Sequence, residues 1–241
     1  MSLTSIPVIY GIVPHENSED QKHQIGVLGV TSDGRKYRYA QNCDVEIALG
    51  LIAVAPDVLA NHEDLPVNTF AVGDTSITVT VGATAITGDQ YEEGFVNITD
   101  ETGQGIMYKI ANCPATAGTA DITIRLAEPI RVAAVAATTA TLYSNKYRNI
   151  VVSDGNQIDM PVGVSNVTLP ADYYGWIQTG GPCSILVDGN DTTATQGITI
   201  GDTANGAVET YDAIAEPIVG IQPAGVGADP GEYGIFELKL D

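Results

Sequence analysis

From Ser76 to Val81 small polar and β-branched residues alternate, with Ile77, Val79 and Val81 on one side and Thr78 and Thr80 on the other. That is the two-residue period of a half-buried strand and fits no helix. Tyr91 to Ile98 carries apolar residues into a second strand, Asp100-Glu101-Thr102-Gly103 supplies a turn, and Gly105 to Ile110 leads away as a third. The expectation is a β-meander punctuated by glycine turns. Asp121 to Leu126 alternates again and is stopped by Pro129. Upstream, Ile25–Val30 and Arg35–Ala40 flank Thr31-Ser32-Asp33-Gly34, a hairpin with Asp-Gly in its turn. Its second strand places Arg35, Tyr37 and Tyr39 on one face and Lys36, Arg38 and Ala40 on the other.

Other stretches are less decided. Ala48 to Val54 reads as a buried strand, with a short helix left open by its alanine and leucine content, and Val132 to Ala140 is either an extended buried segment or a short helix. Pro56 to Pro66 is a connection. Beyond Ile150 the apolar runs shorten: Val162–Val164, Tyr174–Gln178, Ser184–Val187, Gly197–Gly201, Ile218–Ile221 and Ile235–Leu240 are separated by Gly, Asp, Asn and Pro clusters, at spacings that suit a small barrel or sandwich. In the last of these Phe236, Leu238 and Leu240 share one face. Residues 1–24 are apolar from Ile6 to Val13 and polar from His15 to His23, which suits an arm or surface loop ordered by something outside it. The predicted class is therefore all-β with little helix: an N-terminal arm over 1–24, a β domain carrying the meander over 25–145, and an acidic, barrel-like C-terminal domain over 146–241.

The Tyr-x-x-Gly-Phe-Val-x-Ile hairpin over Tyr91–Ile98, followed by Gly-x-Gly-x-x-Tyr-x-Ile over Gly103–Ile110, resembles the head decoration proteins of tailed bacteriophages. The resemblance continues in order through Leu126-Ala127-Glu128-Pro129, Ser144-Asn145-Lys146-Tyr147, Pro161–Val164 and Tyr174–Gly181, and so covers most of the chain beyond Gly26. Asp188-Gly189, Gly201-Asp202, Asn205–Val208 and Val219–Ile221 are similar to the barrel of small decoration proteins. These motifs are structural and none is catalytic. The resemblance implies a virion structural protein, made in the host cytoplasm and placed on the outer surface of the capsid, that cements the major capsid protein lattice. It would act as a homo-oligomer, a trimer favoured over a dimer.

Composition sharpens this. Glycine is 26 of 241 residues and charged residues are 17%, a mix that favours strands and tight turns. With 30 acidic against 10 basic residues the formal charge is −20, which argues against a nucleic-acid partner and for a protein one. Four of the ten basic residues lie between Lys22 and Arg38, and after Arg148 only Lys239 is basic. Two readings of that cluster stand: a solvated hairpin whose cations balance nearby carboxylates, or a capsid-docking patch of Arg35, Lys36 and Arg38. No signal peptide or membrane-length apolar run is evident.

Enzyme signatures are missing, and all three histidines precede residue 63, so no catalytic residue, cofactor site or metal site is assigned. His62 beside Glu63 and Asp64 reads as a loop histidine, because no second ligand stands at a suitable spacing. Asp188-Gly189-Asn190-Asp191 has oxygen ligands for Ca²⁺ but lacks the full calcium-loop pattern, and reads as a turn. Cys43, Cys113 and Cys183 fit neither a metal pair nor a disulfide framework and are expected as reduced thiols. Trp176 reads as core. A second function stays open beside the first: a carbohydrate-binding or carbohydrate-active β protein on a virion surface, which 11 tyrosines and Trp176 would allow.

Overall fold

The computed structural model describes residues 8–188, 197–223 and 228–241. Among them eighteen strands follow one another in chain order. The first half holds β1 (Ile9–Tyr10), β2 (Asn17–Ser18), β3 (Leu28–Val30), β4 (Lys36–Gln41), β5 (Ile52–Val54), β6 (Leu65–Pro66), β7 (Ser76–Thr80), β8 (Phe95–Asp100) and β9 (Met107–Asn112). The second holds β10 (Asp121–Leu126), β11 (Thr139–Tyr143), β12 (Val151–Val152), β13 (Pro161–Ser165), β14 (Tyr174–Leu186), β15 (Gly197–Ile200), β16 (Val208–Thr210), β17 (Gly220–Ile221) and β18 (Tyr233–Lys239). The helical content among these residues is one 3₁₀ turn, Ala60–His62. The fold is all-β. Where a short helix was left open, 48–54 contributes the buried strand β5, whereas 132–140 is neither a helix nor a buried extended segment: a turn closed by the Thr138 amide on the Val135 carbonyl at 3.0 Å leads into β11.

The chain divides into two units, 57–145 and 2–56 joined with 146–241. In the first, six strands form one sheet in the order β6-β11-β8-β9-β10-β7. A bridge between Val67 and Val79, with the Asn68 amide donating to the Thr78 carbonyl at 2.9 Å, brings the two ends together into a nearly closed barrel. Alternation does the building here: β10 buries every second residue, Ile122, Ile124 and Leu126, against Ile77, Val79, Val96, Ile98, Tyr108 and Leu142. Each such side chain contributes about 1.5–3 kcal/mol of burial. The expected meander is corrected in one respect. β8 and β9 form the hairpin, but β7 pairs with β10 and not with β8. A period of two decides which face is buried and leaves the partner open. The connection from β7 to β8 carries Ile86, which exchanges hydrogen bonds with Thr116 at 3.0 Å, and Tyr91, which enters the core.

The second unit is a twelve-stranded sheet with path β1-β3-β4-β14-β18-β17-β15-β16 and with β2, β5, β12 and β13 attached to its side. It replaces two expectations. The hairpin of β3 and β4 does not belong with 57–145: Tyr37 and Tyr39 are buried with Ile47, Ile150, Trp176 and Ile177, so 25–56 completes the core of the C-terminal residues. Nor is 8–24 an arm. β1 runs parallel to β3, β2 pairs with β14, and Ile9 and Ile12 pack on the same core. A third difference concerns β14. The break expected at Gly180-Gly181-Pro182 is a bulge and a positive-φ glycine inside one thirteen-residue strand, whose first half pairs with β4 and whose second half pairs with β18.

Candidate functional site

The three residues singled out on the hairpin do not act alike. Arg38 grips Asp241 with two nitrogens, Nε to Oδ2 at 2.8 Å and Nη2 to Oδ1 at 2.9 Å, and its third donates to the Gly26 carbonyl at 2.8 Å. Such a planar fork is committed to its carboxylate. Lys36 Nζ reaches the main-chain oxygen of Asp241 at 3.4 Å. Arg35 pairs with Asp33 in the turn at 2.8 Å and keeps 28% of its side chain exposed. The local balance of charge named above is thus present, with Arg35 and Lys36 still facing outward. Charge over the whole unit does not favour a basic face: 7 basic against 19 acidic residues give −12, while 57–145 has 3 against 11, giving −8.

Arg35 borders a cleft of about 310 Å³ whose walls include His15, Leu49, Asn166, Pro182 and Tyr233. Behind it the buried Gln178 amide donates to the Pro182 carbonyl at 2.9 Å, and its oxygen accepts from Asn166 at 2.7 Å and from the Tyr37 hydroxyl at 3.2 Å. That network fixes the bulge of β14. Leu49, Tyr233 and Ile235 are apolar and about half exposed.

Histidines and cysteines are placed as structural groups. His62 is fully buried; its Nε2 donates to the Thr84 carbonyl at 3.0 Å, which leaves Nδ1 to accept from the Tyr91 hydroxyl at 2.5 Å. His23 packs edge-on to Tyr39 and beside Trp176, itself only 5% exposed. The three cysteines are free thiols. Burial pushes Cys183 up to about 12, and burial with Glu92 and Asp89 does the same to Cys113, so neither is a nucleophile at neutral pH.

A group of residues that sequence reasoning did not bring together lies at the far end of β14. Asp188, Asp202 and Glu209 each place a carboxylate oxygen within 4.8 Å of the others. Asp188 Oδ2 accepts the amides of Thr203 and Ala204 at 2.6 and 2.7 Å. It can do so because residue 201 is glycine; a Cβ there would stand 2.6 Å from the Asp188 Cβ. Glu209 sits on β16 directly opposite Thr199 of β15 and accepts a hydrogen bond from Gln157. Burial, then the charges of Asp202, Asp188, Asp212 and Glu216, pushes the Glu209 carboxyl up to about 7. Asp188 was the one visible signal, in the Asp188–Asp191 turn, whose other residues lie outside those described; its partners here stand 14 and 21 positions further on. In comparison with known proteins, the sequence matches no family model, and no curated protein or solved structure is significantly similar to it.

Proposed function

We propose that this chain is a virion structural protein that binds the outside of a tailed-phage capsid and stabilises the major capsid protein lattice, acting as a homo-oligomer, with a trimer favoured. The observation that carries the reading is where the motif residues fall. Tyr91 and Tyr108 are core side chains of the 57–145 barrel. Gly94 admits no Cβ, which would lie 2.4 Å from the Tyr143 carbonyl, and Gly103 and Gly105 turn between β8 and β9 with φ of +94° and +82°. A likeness concentrated on fold-determining positions is a likeness of architecture more than of composition.

The docking surface follows from the basic side chains of the hairpin that stay accessible. Arg35 lines the cleft with the half-exposed Leu49 and Tyr233, Lys36 is exposed on the opposite face of the hairpin strand, and Arg38 holds Asp241 and serves as a positioning group. Many such modest contacts, repeated across an oligomer, would add up to firm attachment. Purified protein mixed with empty expanded capsids of the cognate major capsid protein is expected to co-sediment at a fixed stoichiometry. Replacing Arg35 and Lys36 by Glu, with Arg38 kept, is expected to lower occupancy at least ~10-fold, a loss of about 1.4 kcal/mol per site, while the circular dichroism spectrum stays that of the parent. Failure of the parent to co-sediment would sink the reading. The glycan alternative loses Trp176 as a platform, since that ring is core, and rests on the Tyr233 ring at the cleft; glycan-array binding without capsid binding would favour it.

A further inference from the structure

We propose that Asp188, Asp202 and Glu209 hold a calcium ion, with the hydroxyl of Thr199 as a neutral fourth ligand. Three clustered carboxylates alone would not justify this, because acidic side chains gather on many surfaces without an ion. The second observation is Thr199. It is wholly buried, and its Oγ1 has no hydrogen-bond partner among the described residues. A buried hydroxyl left unpaired is unusual and calls for a partner outside the protein.

The register aims that hydroxyl. β15 and β16 pair Thr199 with Glu209, and directly opposed residues of an antiparallel pair send their side chains to the same face about 5 Å apart. The pairing continues past β15, with the Gly201 amide donating to the Ala207 carbonyl at 2.9 Å, so Gly201 lies on that face too. Against it stands Asp188. Ile198, Ile200 and Val208 point the other way, into the core. The Thr199 hydroxyl therefore lies on the face that carries Glu209 and meets Asp188, and the three carboxylates lie within 4.8 Å of one another, with Asp188 already oriented by the two amides on its Oδ2.

Ligand chemistry selects the ion. The set is oxygen throughout, with neither imidazole nor thiolate, which suits a hard cation and not zinc or copper. Oxygens that lie within 4.8 Å of one another fit between the arms of two Ca–O bonds of about 2.3–2.6 Å, and calcium accepts an irregular shell where magnesium demands near-ideal octahedral geometry. Asp202 is exposed, leaving a side on which water completes the shell. Affinity in the range of extracellular calcium modules, Kd about 10⁻⁴–10⁻³ M, is expected. The ion would join the end of β14, the β15–β16 hairpin and the turn at 201–204.

Calorimetric titration of the full chain, stripped with chelator, tests this with CaCl₂ and MgCl₂ as the probes. Calcium is expected to bind once per chain and saturably, at least ~10-fold more tightly than magnesium, and to raise the melting temperature by roughly 5 °C at 100 times Kd. Asp202→Asn, at an exposed position, is expected to weaken binding at least ~10-fold without altering the circular dichroism spectrum. Glu209→Gln should do the same, and Thr199→Val should weaken it several-fold. Absence of saturable calcium binding by the parent at about 10 mM overturns the proposal. So does a parent-like affinity in both Asp202→Asn and Glu209→Gln, which would place any bound calcium elsewhere. Equal affinity for the two metals overturns the assignment to calcium.

Discussion

Arg148 shows how far burial can be carried without an ion pair. It is 2% exposed, its Nη1 donates to Gln41 Oε1 at 3.0 Å and its Nη2 to Gln21 Oε1 at 3.3 Å, and its Nε has no partner among the described residues. Gln41 and Gln21 are both neutral amides, and no ion pair reaches this guanidinium among the described residues. Removing a charge from water without a counter-charge is costly, so its volume matters more than its charge. Arg148→Met is therefore expected to leave stability unchanged or to raise it by about 1 kcal/mol, whereas Arg148→Ala, which opens a cavity, should lower it by about 2–4 kcal/mol. Urea denaturation of the two variants checks this, and an equal loss in both would show that the charge itself is needed. His62 illustrates the opposite outcome for a buried polar ring, with each nitrogen matched to one partner.

At the scale of elements, the alternation in β7, β10 and β18 is read out directly as burial, with every second residue buried in each case. The Asp-Gly turn between β3 and β4 also forms as expected, with Gly34 at φ +87°. What joins β4 to the chain end beyond β18 is the Arg38 and Asp241 pair. Burial pushes the Asp241 carboxyl up, but the hydrogen bonds and charge of Arg38 more than offset this and hold it below the usual carboxylate value. A depressed folded value means that the unfolded state takes up protons first, so the stabilisation is fully present above about pH 4 and is lost as pH falls through the folded value. In this half-screened setting it amounts to about 1 kcal/mol or less. Asp241→Asn is expected to be less stable than the parent by that amount at pH 7, with the difference closing below pH ~3. Denaturation midpoints measured across pH check it; a difference that persists in acid would mean the pair is not electrostatic.

For the whole molecule, the 57–145 unit lies in sequence between the two stretches that make up the other. All six of its strands pair among themselves and surround their own core of Ile, Val, Leu and Tyr side chains. A segment of that size with a nearly closed sheet buries enough surface to fold alone. Residues 57–145 expressed by themselves are expected to give a β-type circular dichroism spectrum and a cooperative urea transition, and a gradual, non-cooperative loss of signal would show that the unit depends on the rest. The location of strands and of their buried faces was legible in the sequence because the period of two is a local property of the backbone, as in Ile122, Ile124 and Leu126. The Pro56 and Asn145 ends of the inserted unit were half legible, since the later one falls where aromatic and polar residues interrupt the strands. Partnership was not legible. That β7 joins β10, that the hairpin at 25–41 completes the core around Trp176, that Arg38 serves Asp241, and that Asp188, Asp202 and Glu209 meet, all depend on segments far apart in sequence. Only the tertiary structure decides these, because an apolar face or an unpaired strand edge can be satisfied by any complementary segment, and the choice among them is made by the packing of the whole.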